Sequence, residues 1–157
     1  MTSRKIRVFL DTNVLLEYFR GKAELQHLFS EKVRERAAFV VNGIVLQELI
    51  LSYKSKELMA VEPYLDIADL GIDPSSPEFQ TILRDERHRN MHVNDILILA
   101  GARACDVLLT YDDKKLLRAG KGTRLRPETP EEFLDELGVA GTPSHASRCA
   151  KPLPSRE

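Results

Sequence analysis

Apolar residues run without alternation through Val8-Phe9-Leu10, an acid follows at Asp11, and a helix-like run begins at Val14. An unbroken apolar run predicts a strand buried on both faces, as in a parallel sheet covered by helices. The first strand is therefore expected over residues 7–10, and a short helix over 14–19, stopped by Gly21. Leu25, Leu28, Phe29 and Val33 recur at helical spacing among charges and predict an amphipathic helix over 23–35. Residues 37–41 (Ala-Ala-Phe-Val-Val) read as the second strand, with Asn42 capping a helix over 44–53. A further helix is expected over 56–65 and a short strand within 67–72.

Ser75-Ser76-Pro77-Glu78 has the form of a capping box and opens a helix running to about Arg89. Its polar side carries Arg84, Arg87, His88 and Arg89. Asn94 is placed as the cap of a helix over 95–104, and residues 106–110 form a strand ending at Tyr111-Asp112-Asp113. Residues 124–126 are assigned a last short strand. Thr129-Pro130-Glu131-Glu132 is a second capping box, and Gly138 stops its helix. From Gly141 the composition turns to Thr, Pro, Ser, His and Lys, so 1–140 are read as one domain and 141–157 as a flexible tail. Strands alternating with helices predict a three-layer α/β/α fold around a central, mainly parallel sheet.

Bulk composition narrows the functional classes. With 43% hydrophobic and 30% charged residues in 157, the chain has the make-up of a soluble globular domain rather than a disordered one. A net charge of −1 gives no global positive field, so a polyanion would have to be held by a local basic patch or by metal ions. Two cysteines are too few for a disulfide framework and no Cys/His set has zinc spacing, which suits a reducing cytoplasm. The apolar run at 96–102 falls far short of the roughly 20 residues that span a bilayer.

The candidate chemistry lies in acids set among apolar neighbours. Asp11 and Asp112 follow strands, so both reach the carboxyl edge of the sheet, where α/β folds collect their ligands. Glu48 and Asp95 sit near helix starts among Ile44, Val45, Leu46, Leu49 and Ile96, Leu97, Ile98. Burying an unpaired carboxylate is expensive, and a shared divalent cation would satisfy several at once. Each acid has a plainer reading alone: Asp11 as a cap, Asp95 as a first-turn acid, Glu48 in a surface ion pair, Asp112 and Asp113 as turn residues.

Together, Val8-Phe9-Leu10-Asp11-Thr12-Asn13-Val14-Leu15, Val45-Leu46-Gln47-Glu48-Leu49, Asn94-Asp95-Ile96-Leu97-Ile98-Leu99-Ala100 and Leu108-Leu109-Thr110-Tyr111-Asp112 resemble the four acidic motifs of PIN-domain nucleases. Thr129 to Leu134 resembles the closing helix of that family. The stand-alone size resembles the VapC-like ribonuclease toxins of toxin–antitoxin pairs. The resemblance implies a metal-dependent endoribonuclease leaving 5′-phosphate and 3′-hydroxyl ends. By motif match, Asp11, Glu48, Asp95 and Asp112 are the Mg²⁺ (or Mn²⁺) ligands and Thr110 supplies the hydroxyl that orients the site. Asn13 matches the Asp-x-Asn opening and steadies the Asp11 loop. Arg84, Arg87 and Arg89 are the candidate RNA contacts, Tyr111 either stacks on a base or packs, and Lys114-Lys115 begin a second basic stretch. An antitoxin, an RNA substrate and a second copy are the expected partners, and no membrane. Like charges in such a pocket should raise the pKa of at least one acid. Two other readings compete: an inactive PIN-like binding module, and a haloacid-dehalogenase-type phosphotransferase, which wants an Asp where this chain has Asn13.

Overall fold

The computed structural model describes residues 3–69, 75–84, 90–119 and 124–139. Among these, five strands form one sheet: β1 (Ile6–Leu10), β2 (Ala37–Asn42), β3 (Leu65–Ala68), β4 (Val107–Leu109) and β5 (Arg126–Glu128), in the order β3-β2-β1-β4-β5. Every pairing is parallel. Helices flank this sheet: α1 (Thr12–Phe19), α2 (Glu31–Arg34), α3 (Gly43–Leu51), α4 (Ser55–Val61), α5 (Pro77–Arg84), α6 (Val93–Ala102), α7 (Leu116–Ala119) and α8 (Pro130–Glu136). The architecture is the three-layer α/β/α arrangement expected from the sequence.

The burial of the strands explains their order. Val8, Phe9 and Leu10 of β1 and all three residues of β4 are fully buried, as central strands covered on both faces must be. The outer strands are partly exposed, and β5 carries Pro127, which a central ladder would not tolerate. From β1 the chain steps outward to β2 and β3, then returns across the sheet to β4 and β5. Right-handed crossovers place the outgoing and returning helices on opposite faces. The reversal leaves a crevice between the carboxyl ends of β1 and β4, the switch point where such sheets hold ligands.

Several boundaries differ from expectation. The single helix over 23–35 is instead a 3₁₀ turn (Ala23–Leu25), a run of turns and the one-turn α2. Leu25, Leu28, Phe29 and Val33 are all buried as foreseen, but Ser30 is extended and interrupts the helix. Packing decides this, with Phe29 edge-on to both Tyr18 and Phe39 at 5.1 Å. The helix over 56–65 stops at Val61, and Pro63 lies in a 3₁₀ turn, so β3 starts at Leu65 rather than Ile67. The last strand lies at Arg126–Glu128 rather than 124–126, because Leu125 is drawn into the core ahead of the pairing with β4. α7 was not foreseen. Residues 85–89 and 141–157, expected as the end of a helix and as a tail, lie outside the described residues.

Three helices close with the same pair of bonds, in which the N–H two residues beyond the C-cap reaches back five positions. At α1 these are Lys22 to Glu17 (3.1 Å) and Gly21 to Tyr18 (3.0 Å), and at α8 Val139 to Leu134 (3.1 Å) and Gly138 to Asp135 (2.9 Å). At α3 they are Lys54 to Leu49 (3.0 Å) and Tyr53 to Ile50 (3.1 Å). This motif needs a left-handed residue, which Gly21 and Gly138 supply without strain and Tyr53 supplies at φ 58°. A side chain there costs about 1 kcal/mol.

Asn42 ties the elements that carry the site. Its side-chain oxygen caps α3 through Val45 N–H (3.2 Å), and its amide donates to Leu97 O of α6 (3.2 Å). α6 approaches so closely that a Cβ on Gly101 would lie 2.8 Å from the Asn42 amide nitrogen and 3.2 Å from the Phe9 ring. Gly101→Ala is therefore expected to destabilise the fold by roughly 1–3 kcal/mol, read as a lower urea midpoint at unchanged m-value.

Candidate active site

Asp11 stands where β1 ends and is also the N-cap of α1, so the plain and the functional readings of this residue coincide. Its Oδ1 accepts from Thr12 N–H at 2.8 Å and its Oδ2 from the Thr110 hydroxyl at 2.7 Å. It is 5% exposed. Burial pushes its pKa from an ordinary 3.8 to about 6; the two hydrogen bonds oppose this, while Glu48 and Asp95 add to it.

Thr110 is fully buried at the end of β4 and relays between two acids. While donating to Asp11, its oxygen accepts from Asp112 N–H at 3.0 Å. The Asp112 carboxylate in turn accepts from Lys115 N–H at 3.0 Å. Asn13 Oδ1 accepts from Tyr111 N–H at 3.2 Å and joins the end of β4 to the start of α1. The register of β1 on β4 sets all of this, since Leu10 lies opposite Leu109 and the next residues emerge side by side.

Glu48 projects from α3, and among the described residues it makes no ion pair. It accepts from the Thr12 hydroxyl and, at 2.9 Å, from the Asn94 amide. That contact explains a difference from the sequence reading: His92, not Asn94, is the N-cap of α6, and Asn94 lies inside the helix facing Glu48. Asp95 follows on the same helix. Burial holds its carboxyl above the usual range; Lys115 opposes this and Asp112 adds to it. Lys115 Nζ stands 3.9 Å from Asp95, a counter-charge supplied by a distant segment.

Asp11, Glu48, Asp95 and Asp112 thus line one cavity of about 440 Å³, with Thr12, Asn13, Leu16, Leu51 and Ser52. Asp113 is exposed and does not line it. Arg84 is exposed on α5 and contributes nothing to this lining, and Arg87 and Arg89 lie outside the described residues. Tyr111 is a packing residue: its hydroxyl donates to Glu131 (2.8 Å) and accepts from Lys22 (3.1 Å), and the Lys22 ammonium covers its ring at 4.3 Å. Thr12, Asn94 and Lys115 escaped the sequence reading, because their roles depend on contacts between segments.

A family model described as the PIN domain matches residues 8–122. The chain belongs to the PIN domain family. The match spans all four acids of the cavity. Among solved structures, this PIN domain is similar to a chain of VapBC2 from Rickettsia felis, a complex bound to a DNA fragment from their promoter. The TM-score is 0.58 at 19% identity, covering 79% of this chain and 98% of that one. No curated protein matches it.

The donor set suits a hard divalent cation, being all oxygen and bearing acids whose ionised forms lack full compensation. Among the described residues no three acidic, His or Cys side chains already close into a metal cage. An ion such as Mg²⁺, which keeps several waters and needs few direct carboxylates, would suit an all-oxygen set of this kind.

Proposed function

We propose that this PIN domain is a metal-dependent endoribonuclease acting in the cytoplasm, and the toxin of a toxin–antitoxin pair. The observation that carries the reading is the convergence of four acids, from β1, α3, α6 and the end of β4, on one cavity at the switch point. Asp11, Glu48, Asp95 and Asp112 would hold Mg²⁺ or Mn²⁺, which supplies Lewis acidity for the attacking water and neutralises charge at the scissile phosphate. Thr110 holds Asp11 and the Asp112 backbone in one register, and Thr12 with Asn94 fixes the Glu48 carboxylate. At or below about pH 6, where Asp11 still holds a proton, cation binding would release it.

The toxin assignment draws on the fold likeness to a VapBC2 chain. Met59 on α4 and Ile67 on the β3 edge are exposed apolar surface for an antitoxin or a second copy. Among the described residues no helix is long and apolar enough to cross a membrane.

Incubating the protein with structured RNA in Mg²⁺, Mn²⁺ or EDTA tests the reading. Cleavage is expected with either metal and none in EDTA. No cleavage with any metal, together with no Mn²⁺ binding by calorimetry, would instead make it an inactive PIN-like binding module.

A further inference from the structure

Among the described residues, Tyr53 is the one left-handed position that is not glycine, and its ring makes no contact there that favours the fold. Among the described residues the other two positive-φ positions are Gly21 and Gly138, each closing a helix by the bonds that close α3. A tyrosine at this position strains the backbone, and a strained residue that persists points to a use. No contact within the chain offsets the strain: Tyr53 is 92% exposed, and among the described residues its side chain makes no hydrogen bond or ring contact.

The place of the turn says what the ring meets. Leu51 and Ser52, immediately before it, line the acidic cavity, and Lys54 and exposed Lys56 follow it. An aromatic ring interleaved with cations, at the rim of a cavity that would itself repel phosphate, is the chemistry of a single-stranded nucleic-acid contact. Lys54 is partly engaged, 3.9 Å from Glu57, which leaves Lys56 as the freer cation of the turn.

We infer that the turn over 52–56 is an RNA-binding element, in which Tyr53 stacks on an unpaired base beside the scissile phosphate and Lys56 contacts the backbone. This rests on the ribonuclease reading and adds to it a substrate-binding element outside the four acids.

Tyr53→Gly separates the two roles, because it relieves the backbone while removing the ring. Binding is measured by fluorescence anisotropy with a labelled single-stranded oligoribonucleotide in Mg²⁺, on an Asp95→Asn background that blocks cleavage. Tyr53→Gly is expected to raise the thermal midpoint yet weaken binding about 5- to 150-fold. Tyr53→Trp should restore binding, and annealing the probe to its complement should abolish the difference. Lys56→Ala should lower the salt slope, log Kd against log salt, by about 0.7. Equal affinity of parent and Tyr53→Gly would overturn the inference while leaving the nuclease reading intact. A change in sedimenting mass with unchanged RNA affinity would overturn it in favour of an interface between copies. No RNA binding or cleavage by the wild-type chain would overturn both.

Discussion

Asp11→Asn is expected to abolish RNA cleavage and, at neutral pH, to make the metal-free protein more stable. Ionised Asp11 is buried with only two hydrogen bonds, and its rise from 3.8 to about 6 corresponds to roughly 3 kcal/mol against the charged form. Asparagine keeps an acceptor for Thr12 N–H but carries no charge. Some of the gain is lost at Thr110, whose hydroxyl must exchange a carboxylate for an amide. A net gain of about 1–3 kcal/mol, or roughly 3–10 °C in Tm, is expected in EDTA at pH 7.5. The sign of the pH dependence follows from the raised folded-state value. Protonated Asp11 contributes its full stability below pH 3.8, and that contribution is lost as pH rises through about 6. The advantage of the variant should therefore shrink toward zero as the pH falls from 7.5 to 4.5. Differential scanning calorimetry of both proteins across this range checks it; an advantage independent of pH would mean that Asp11 is not the responsible group. Mg²⁺ should narrow the gap from the other side, stabilising the wild type alone by mass action.

Asp95→Asn should lower the cleavage rate by at least about 100-fold with little loss of folding stability. Asp95 lines the cavity, is held above its usual range by burial, and faces the Lys115 ammonium at 3.9 Å. Neutralising it removes an ion donor without leaving an orphaned buried charge, because Lys115 retains access to solvent. Asp113→Asn is the matched comparison: the same charge change at an exposed residue outside the cavity should alter the rate by less than about threefold. Single-turnover cleavage in Mg²⁺ measures both. Equal losses in the two variants would place the effect in general electrostatics rather than in the cavity.

Much of this protein is legible in one dimension. The unbroken apolar runs of β1, β2 and β4, the Asn42 and Thr129 caps and the glycine stops at 21 and 138 each follow from period, capping or backbone freedom, which are properties of a few adjacent residues. The same local logic put Asp11 and Asp112 at the carboxyl edge, because parallel strands bring their ends to one side. What the tertiary structure alone decided is which groups answer those acids. Thr12 and Asn94 hold Glu48, and Lys115 faces Asp95, across separations that carry no periodic signal. The Thr110 hydroxyl is expected from the family resemblance, and the fold fixes its partners as Asp11 and the Asp112 backbone. The broken helix over 23–35 belongs with them, since aromatic packing of Phe29 against Tyr18 and Phe39 outweighed a helical pattern worth only tenths of a kcal/mol per residue. Local preferences choose the elements because they act within a turn of chain. The pairing of polar groups is chosen by the register of distant strands, and only the folded sheet sets that.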